Sequence, residues 1–551
     1  MNRPASVLAP ILVAAASLVA VGALLYRVTQ EPLDAGYVRY LGIADEIVRT
    51  GDWIQLRIVD RLYLEKPPLF FWILAVPMAL LGSVPNWAPH VPGLLALAVA
   101  SYSVYRLARE VYGPGEPALA ATLLFATTWE AFNQATGKRL DLLFAAWVTA
   151  AFASFFLGSG GTRRESARPA LLALAWVFVA FAVMTKGPLA ILFFLLGVGG
   201  FAAWSGRSAT LVSRGSFAGI ALFVAICAIW PVLLGARLGF EEAFATYAQR
   251  SFTTRRAGVF LYLAHLPEQA IPWSVFLPAL AVAFLRRRGV RGSDALRFLA
   301  AWFLAVFIPL HFSEARHSRY LLPASPALGL LLVSLWYAPL DSTSASPALA
   351  IRLRRYGALA LFGLVGLAGI AAGIILAALD REPLTGRNLP AEALVASPLS
   401  FVLGLAALVG FVSALRRGRA ETSLLPAATL VAGVTAVVSL LAAGDLREQD
   451  QTGDARAVLA SATSAGRPVA MLGLTEEQRQ LSRLFTGSAI GSFGDVASLA
   501  RFATESRESV VLSSPKGRRE LEALPGFSIE IRDDFELAQD PIEVLVVRAA
   551  P

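Results

Sequence analysis

The sequence is poor in charge, in cysteine and in lysine. Only 16% of its 551 residues are charged and 56% are hydrophobic. A typical soluble domain carries about 25% charged residues, so a soluble enzyme of several domains is excluded. The single cysteine, Cys227, excludes an internal disulfide framework and a thiolate metal cluster. A succession of long apolar runs is present instead, which is typical of a polytopic α-helical membrane protein.

Charge is distributed unevenly along the chain. Residues 445–551 hold 12 basic and 17 acidic residues, whereas residues 1–444 hold 36 and 22. We therefore expect a transmembrane domain over 1–444 and a small soluble α/β domain over 445–551. Short apolar runs in the second domain predict strands at Val469–Leu474, Ser509–Leu512 and Glu543–Val547, and helices at Gln478–Leu484 and Asp495–Glu505.

Fourteen apolar segments follow one another in residues 1–444. They lie near residues 7–26, 69–83, 89–107, 117–133, 140–158, 170–185, 187–205, 216–236, 272–285, 295–312, 320–338, 357–379, 399–415 and 424–443. The first resembles a signal peptide, but its length and the spans that follow predict an uncleaved transmembrane helix. Segment 69–83 is short, follows two prolines and contains Pro77. We expect it to be an interfacial or re-entrant helix, which leaves about thirteen spans.

The arginine clusters at alternate connections then share one side of the membrane with Arg3. Inner connections carry a net charge of +13, and the outer ones before residue 445 carry +1. This positive-inside bias predicts a cytoplasmic N-terminus, outer loops over 27–88 and 237–271, and an outer location for the 445–551 domain. The overall excess of +9 therefore indicates orientation and no nucleic-acid partner.

This topology gathers the unusual residues on the outer face. Three of the four lysines and all four histidines lie there; they are Lys66, Lys138, Lys186, His90, His265, His311 and His317. Asp34 directly follows the first span, at the headgroup level where a lipid-linked substrate presents its polar end. A single loop carboxylate can be merely solvated, but an ionisable residue at the membrane is a functional-site hypothesis.

Two further outer-face residues stand at helix breaks. Lys186 precedes Gly187-Pro188 between two apolar spans, where a helix N-terminus and a cation together suit a phosphate. The alternative is a lysine that snorkels at a tight turn. Asp141 begins another span from the same face, and could simply pair with Arg139 or Lys138.

A metal site is only faintly indicated. Glu65 and His265 together suit Zn or Mn, although two ligands far apart in sequence are a weak signal. Walker, GxGxxG, HExxH and CxxC motifs are absent from the sequence.

Seven short motifs occur in the order of a known family. They are Asp34-x-x-Tyr37, Thr50-Gly51-Asp52-Trp53, Leu64-Glu65-Lys66-Pro67-Pro68, Arg139-Leu140-Asp141-Leu142-Leu143, Thr185-Lys186-Gly187-Pro188, Pro272-Trp273-Ser274 and Arg319-Tyr320-Leu321-Leu322-Pro323. The chain resembles the bacterial lipid A aminoarabinose transferases and their protein O-mannosyltransferase-like relatives. These are multi-span glycosyltransferases of the GT-C type that use a polyprenyl-phosphate sugar. The resemblance runs from the first helix to about Pro323, and more loosely into the soluble tail.

The resemblance implies an inverting glycosyltransferase of the bacterial inner membrane with a periplasmic 445–551 domain. The donor would be an undecaprenyl-phosphate sugar, and the acceptor lipid A, another glycan or a protein. It implies catalytic roles for Asp34 and Asp141 and a divalent metal on Glu65 and His265. The donor phosphate would meet Lys66, Lys186, Arg319 and Tyr320.

Two departures from the family pattern leave the sugar and the acceptor open. Asp34 is followed by Ala35 where the family often has Glu, and no basic residue closely follows His265. Arg255 or Arg256 is the available substitute for that missing cation. The alternative function is a transporter or flippase of a lipid-linked anion. Such proteins commonly show paired repeats, which we do not find, and they place charge near the bilayer midplane.

Overall fold

The computed structural model describes residues 5–30, 35–58, 61–82, 87–137, 140–162, 166–208, 211–241, 261–286, 293–312, 317–337, 347–379, 391–417, 424–448, 468–475, 478–479, 482, 491–506, 508–537 and 540–549. The chain divides into two compact units. The first comprises Met1–Val28, Leu64–Phe70 and His90–Gly444, and the second comprises Thr29–Tyr63, Phe71–Pro89 and Asp445–Pro551.

Helices make up most of the described chain. In chain order they are α1 Ala5–Gln30, α2 Ala35–Thr50, α3 Leu69–Leu81, α4 Val91–Tyr112, α5 Glu116–Ala126, α6 Trp129–Thr136, α7 Leu140–Gly158, α8 Pro169–Lys186, α9 Leu189–Ser205, α10 Arg214–Leu238, α11 Leu261–Ala264, α12 Leu277–Arg286, α13 Asp294–Leu310, α14 Ser325–Tyr337, α15 Pro347–Leu379, α16 Ala391–Arg417, α17 Leu424–Glu448, α18 Val496–Ser506 and α19 Pro515–Glu522. Short 3-10 helices at Glu268–Ala270, Trp273–Phe276 and Ser318–Ala324 connect some of them.

The polytopic α-helical class is confirmed. Six described helices are long and apolar enough to cross a membrane, namely Ala88–Tyr112, Leu140–Gly158, Pro169–Lys186, Arg214–Leu238, Ser318–Tyr337 and Ile351–Ile374. Seven shorter apolar helices lie at Leu18–Gln30, Leu69–Leu81, Glu116–Ala126, Leu189–Ser205, Trp273–Phe284, Val395–Val409 and Pro426–Leu441. The figure of thirteen spans stays a prediction. Segment 69–83 forms the 13-residue helix α3, which at about 1.5 Å per residue is shorter than a bilayer core of about 30 Å.

The apolar segment expected at 117–133 is not one helix. Helix α5 ends at Ala126, and the hydroxyls of Thr127 and Thr128 donate to the Leu123 and Phe125 carbonyl oxygens, 2.6 and 2.8 Å away. Hydroxyls that bond back to the preceding turn satisfy the last carbonyls of a helix. A separate helix, α6, therefore begins at Trp129.

Helix α7 is the central helix of the first unit. Nearly every residue from Leu140 to Gly158 is buried. Its phenylalanines stack on α13, with ring centroids 4.8 Å apart for Phe152 and Trp302 and 4.5 Å apart for Phe156 and Phe298. Stacked aromatic pairs in a close-packed core hold a helix rigidly. The first turn of α7, which carries Asp141, is therefore held in place at one end of the bundle.

In the second unit, residues 468–549 contain the expected small α/β domain. Its strands are β3 Val469–Leu472, β4 Gly491–Phe493, β5 Glu508–Ser513, β6 Phe527–Leu537 and β7 Asp540–Ala549, in the spatial order β4-β3-β5-β7-β6. The first three are parallel, and β7 is antiparallel to both β5 and β6. Apolar side chains of the sheet, such as Val511 and Leu545, pack with Leu499 of α18 and Leu521 of α19.

The second unit also contains the segment around α2. A two-stranded hairpin follows α2, with β1 at Arg57–Ile58 and β2 at Arg61–Leu62. The indole of Trp72 donates to the Trp53 carbonyl oxygen at 2.7 Å, which ties α3 to the loop that follows α2. Burial raises the pKa of Asp45, on α2, to about 6, against the opposing effect of the Arg49 charge.

Candidate functional site

A helix break positions Lys186. Helix α8 ends at Lys186 because Gly187 adopts φ +113°, a conformation that favours glycine, and Pro188 caps α9. Lys186 is therefore the last residue of a membrane-length helix, and its side chain is 15% exposed.

The ammonium group of Lys186 binds a carboxylate on the neighbouring central helix. Its Nζ donates to Asp141 Oδ1 at 2.5 Å, and Arg319 Nε lies 3.2 Å from Asp141 Oδ2. The Asp141 side chain is 8% exposed. The alternative pairing of Asp141 with Arg139 or Lys138 stays untested, because both residues lie outside the described residues.

An aromatic ring lies beside these cations. Lys186 Nζ is 4.0 Å from the ring centroid of Tyr320 and 5.4 Å from that of Phe144, and the Arg319 guanidinium carbon is 5.7 Å from the Tyr320 ring. Cation–π attraction at such distances stabilises desolvated charges. Tyr320 thus contacts both cations and helps to hold them in place.

Lys66 adds a third positive charge. It follows Glu65 in a half-buried segment whose prolines, Pro67 and Pro68, are buried. The charge of Lys66 acts on Lys186 as a repulsive neighbour, as does that of Arg319. Lys186, Arg319 and Lys66 are thus three cations that an anionic group can meet.

The sequence reasoning missed two buried polar residues on α6. Glu130 is 4% exposed and Gln134 is 6% exposed, and Gln134 Nε2 donates to Glu130 Oε1 at 3.1 Å. Burial raises the pKa of Glu130, and the negative charges of Glu268 and Asp141 add to that effect, while the bond from Gln134 and the charge of Arg319 oppose it. The available signal was the spacing of four residues in Glu130-x-x-x-Gln134, which places both side chains on one helix face.

The segment before α12 contains His265. Its Nδ1 lies 2.5 Å from Glu268 Oε2. Nearby, Gln269 Nε2 donates to the Ser318 carbonyl oxygen at 3.2 Å and accepts from Ser325 Oγ at 3.1 Å. These bonds tie the segment to the turn that carries Arg319.

A metal centre is not assembled by the described residues. Within the described ranges, no group of three or more His, Cys, Asp or Glu side chains is arranged to hold a metal ion. The assignment of Glu65 and His265 to a metal stays a prediction.

The predicted site residues thus fall into two sets. Asp141, Lys186, Arg319 and Tyr320 come together, with Lys66 close enough to act on Lys186. Asp34 and the possible substitutes Arg255 and Arg256 lie outside the described residues. The roles of all of them stay predictions.

Known proteins match this chain in sequence. The family described as dolichyl-phosphate-mannose-protein mannosyltransferase matches residues 65–234. An undecaprenyl phosphate-alpha-4-amino-4-deoxy-L-arabinose arabinosyl transferase from Edwardsiella ictaluri is 26% identical over 364 residues, 64% of this chain and 63% of that protein. One of the same name from Pseudomonas aeruginosa strain PAO1 is 28% identical over 304 residues, 53% of this chain and 54% of that protein. The chain is therefore similar in sequence to these arabinosyl transferases over 53–64% of its length.

A solved structure matches the fold over nearly the whole chain. ArnT from Cupriavidus metallidurans in the apo state superposes with a TM-score of 0.73 at 19% identity, covering 98% of both chains. The same protein bound to undecaprenyl phosphate gives 0.72, covering 97% of both. The fold of this chain is therefore the fold of that protein. The sequence matches span less than two thirds of the curated relatives' length.

Proposed function

We propose that this protein is an enzyme, an inverting glycosyltransferase that moves a sugar from an undecaprenyl phosphate donor to an extracytoplasmic acceptor. The acceptor would be lipid A, another glycan or a protein. One observation carries the proposal: Lys186 and Arg319 pair with a buried carboxylate where membrane-length helices end, and the charge of Lys66 acts on Lys186. A lipid phosphate needs such a site, because its anionic head must stay at the membrane boundary while its tail stays in the bilayer. The names of the sequence relatives support the same donor class.

In the proposed reaction the bond from the sugar's anomeric carbon to the phosphate oxygen breaks as a bond to the acceptor oxygen forms. Negative charge grows on the departing polyprenyl phosphate. Lys66, Lys186 and Arg319 would stabilise that charge, with Tyr320 holding two of these cations in place. Removing one preorganised donor of this kind typically reduces the rate about 100- to 1000-fold.

The two predicted catalytic carboxylates take different parts. Asp34 would accept the proton of an acceptor hydroxyl on the face of the sugar opposite the phosphate, which gives inversion. For an acceptor that is itself a phosphate, no proton need be removed, and Asp34 would position the acceptor. Asp141 is occupied by Lys186 and Arg319, so we assign it the orientation of these cations.

A divalent metal, Zn or Mn, on Glu65 and His265 stays part of the proposal without a step assigned to it. When bound, such a metal would supply Lewis-acid stabilisation of the phosphate charge. His265 is engaged by Glu268 at 2.5 Å, so this carboxylate would have to share or release the imidazole. Metal analysis of the purified protein before and after chelation, together with a Glu65→Gln variant, tests the assignment.

For location we propose the bacterial inner membrane, with a cytoplasmic N-terminus and the 445–551 domain in the periplasm. The net charge of +13 on the inner connections supports this orientation. Reporter fusions after residues 206 and 551 test it, since the first should report a cytoplasmic and the second a periplasmic location.

The central experiment measures sugar transfer by the purified protein in detergent from a polyprenyl-phosphate sugar. We expect transfer by the wild type and a loss of about 100-fold or more in Lys66→Ala and Asp34→Asn. Lys516→Ala is the matched control, because Lys516 is an exposed lysine on α19 of the α/β domain. Wild-type activity in both site variants would refute the assignments. No transfer in detergent, combined with movement of the lipid across vesicle membranes, would favour the transporter alternative.

A further inference from the structure

The polar face of α6 has no part in the mechanism above, although it lies beside the charged site. Helix α6 packs against α7 and against the 3-10 helices Glu268–Ala270 and Ser318–Ala324, which carry Asp141, Glu268 and Arg319. The backbone NH of Trp129 donates to the Ile271 carbonyl oxygen at 2.8 Å. The helix is therefore anchored at its first residue.

The other faces of α6 are used for packing. A Cβ at Gly93 of α4 would collide with the Ala135 carbonyl oxygen, so α4 lies directly against the backbone on that side. Phe132 faces the Arg27 guanidinium of α1, whose central carbon is 5.7 Å from the ring. The charges of Glu268, Asp141 and Arg319 act on the Glu130 carboxyl. The Glu130–Gln134 face is therefore turned toward the charged site.

One hydrogen-bonding atom on this face is unsatisfied. Gln134 donates its amide NH to Glu130, but its Oε1 is buried and accepts no hydrogen bond from the described residues. A buried acceptor without a donor typically destabilises a fold by about 1–3 kcal/mol, and native proteins keep few such atoms. A ligand that brings an N–H or O–H to this face would satisfy it.

We propose that Glu130 and Gln134 form a recognition subsite for a hydrogen-bond donor, a hydroxyl or ammonium group, of the sugar carried on the lipid phosphate. This inference rests on the proposed function, because it assumes that the phosphate of the same donor lies at Lys186 and Arg319. The cations then bind the part common to all such donors, and the α6 face distinguishes one sugar from another. A site that binds a substrate donor group rejects analogues that lack it, because its buried polar atoms are then left unpaired.

The test compares two probes on the full-length protein in nanodiscs. One probe is decaprenyl phosphate, and the other is a panel of decaprenyl-phosphate sugars, some with hydroxyls only and some with an amino group. We expect the wild type to bind at least one glycosylated probe about tenfold more tightly than decaprenyl phosphate. A tenfold difference in affinity corresponds to the free energy of one or two buried hydrogen bonds. The sugar that carries the preference identifies the group as hydroxyl or ammonium.

Glu130→Gln and Gln134→Leu should each remove this preference. Gln134→Leu changes no charge, so its affinity for decaprenyl phosphate should change less than twofold. Glu116→Gln is the matched control, because Glu116 is a carboxylate of α5 bonded to Tyr337 instead. The preference ratio separates recognition from a structural role, since a loosened fold weakens both probes alike. A preserved ratio in both variants, or an equal loss for both probes, overturns the subsite. A wild type that binds neither probe overturns the proposed function itself.

Discussion

The strongest prediction concerns Asp141→Asn. In the native protein this carboxylate neutralises Lys186 at 2.5 Å and Arg319 at 3.2 Å. Removing this negative charge leaves Lys186 and Arg319, both largely buried, without the counterion that neutralises them. The like charge of Lys66 also acts on Lys186. Breaking a buried ion pair from one side typically destabilises a protein by about 3–5 kcal/mol. We expect the lower end, about 3 kcal/mol, since the Arg319 side chain is 27% exposed and water reaches it.

The same variant should bind a lipid phosphate more tightly. With an effective dielectric constant of about 20, a carboxylate about 8 Å from a phosphate charge repels it by about 2 kcal/mol. Loss of that repulsion strengthens binding by about 30-fold. Thermal unfolding in detergent, with and without decaprenyl phosphate, measures both effects. The ligand should raise the unfolding temperature of Asp141→Asn by more than it raises that of the wild type.

The chain contains a matched control for this prediction. Asp294 pairs with Arg207 at 2.8 Å and with Arg297 at 3.4 Å, and its side chain is 9% exposed. Arg207 also donates to the Gly161 carbonyl oxygen, beyond the end of α7 opposite to Asp141. Asp294→Asn should therefore destabilise the protein without increasing the stabilisation by ligand. An equal or smaller ligand effect in Asp141→Asn than in the wild type would refute the assignment of Lys186 and Arg319 to the phosphate.

Three further predictions follow from single side chains. Lys186→Met should weaken binding of decaprenyl phosphate about 10- to 100-fold in a direct binding assay, since it removes a charge-assisted contact; unchanged affinity would exclude Lys186 from the phosphate site. Asp45 has a folded-state pKa of about 6, above its unfolded value. Its contribution to the stability of the fold is therefore fully present below about pH 4 and is lost as pH rises through 6. Asp45→Asn should accordingly increase the free energy of unfolding at pH 7.5 by up to about 3 kcal/mol, which raises the unfolding temperature. The unfolding temperature of the variant should also depend less on pH between about 4 and 7. An unaltered pH profile would contradict the burial of that carboxyl. Gly93→Val should force α4 away from Ala135 and destabilise the protein by about 1–3 kcal/mol, whereas Gly199→Val, with open space around its Cβ, should have little effect in the same unfolding assay.

Much of the candidate site could be predicted because its residues stand at helix ends. The Lys186-Gly187-Pro188 break is visible in the sequence, since glycine and proline end helices for steric reasons. The charge bias of the connections then put Asp141, Lys186 and Arg319 on one face. Their ion pairs were not predictable, because 45 residues separate Lys186 from Asp141 and only helix packing decides which ends meet.

Other features could not be predicted from the sequence for a different reason. The segment 117–133 has the composition of a continuous span, and its break depends on two threonine hydroxyls and on the indole of Trp273, which donates to Thr127 at 3.2 Å. Glu130 had no distinctive motif, and its significance comes from burial and from neighbours on other helices.

The sequence by itself determined which parts of the chain are suited to lipid and which to water. Apolar runs, connecting arginines and the shift in charge at residue 445 follow from the energy of placing each side chain in lipid or water, which is a local quantity. The tertiary structure alone decided which polar groups lie together at the helix ends. Pairing of Asp141 with Lys186 and Arg319, and the placing of Glu130 and Gln134 beside them, result from close packing around α7. Such packing depends on the shapes of many distant side chains at once.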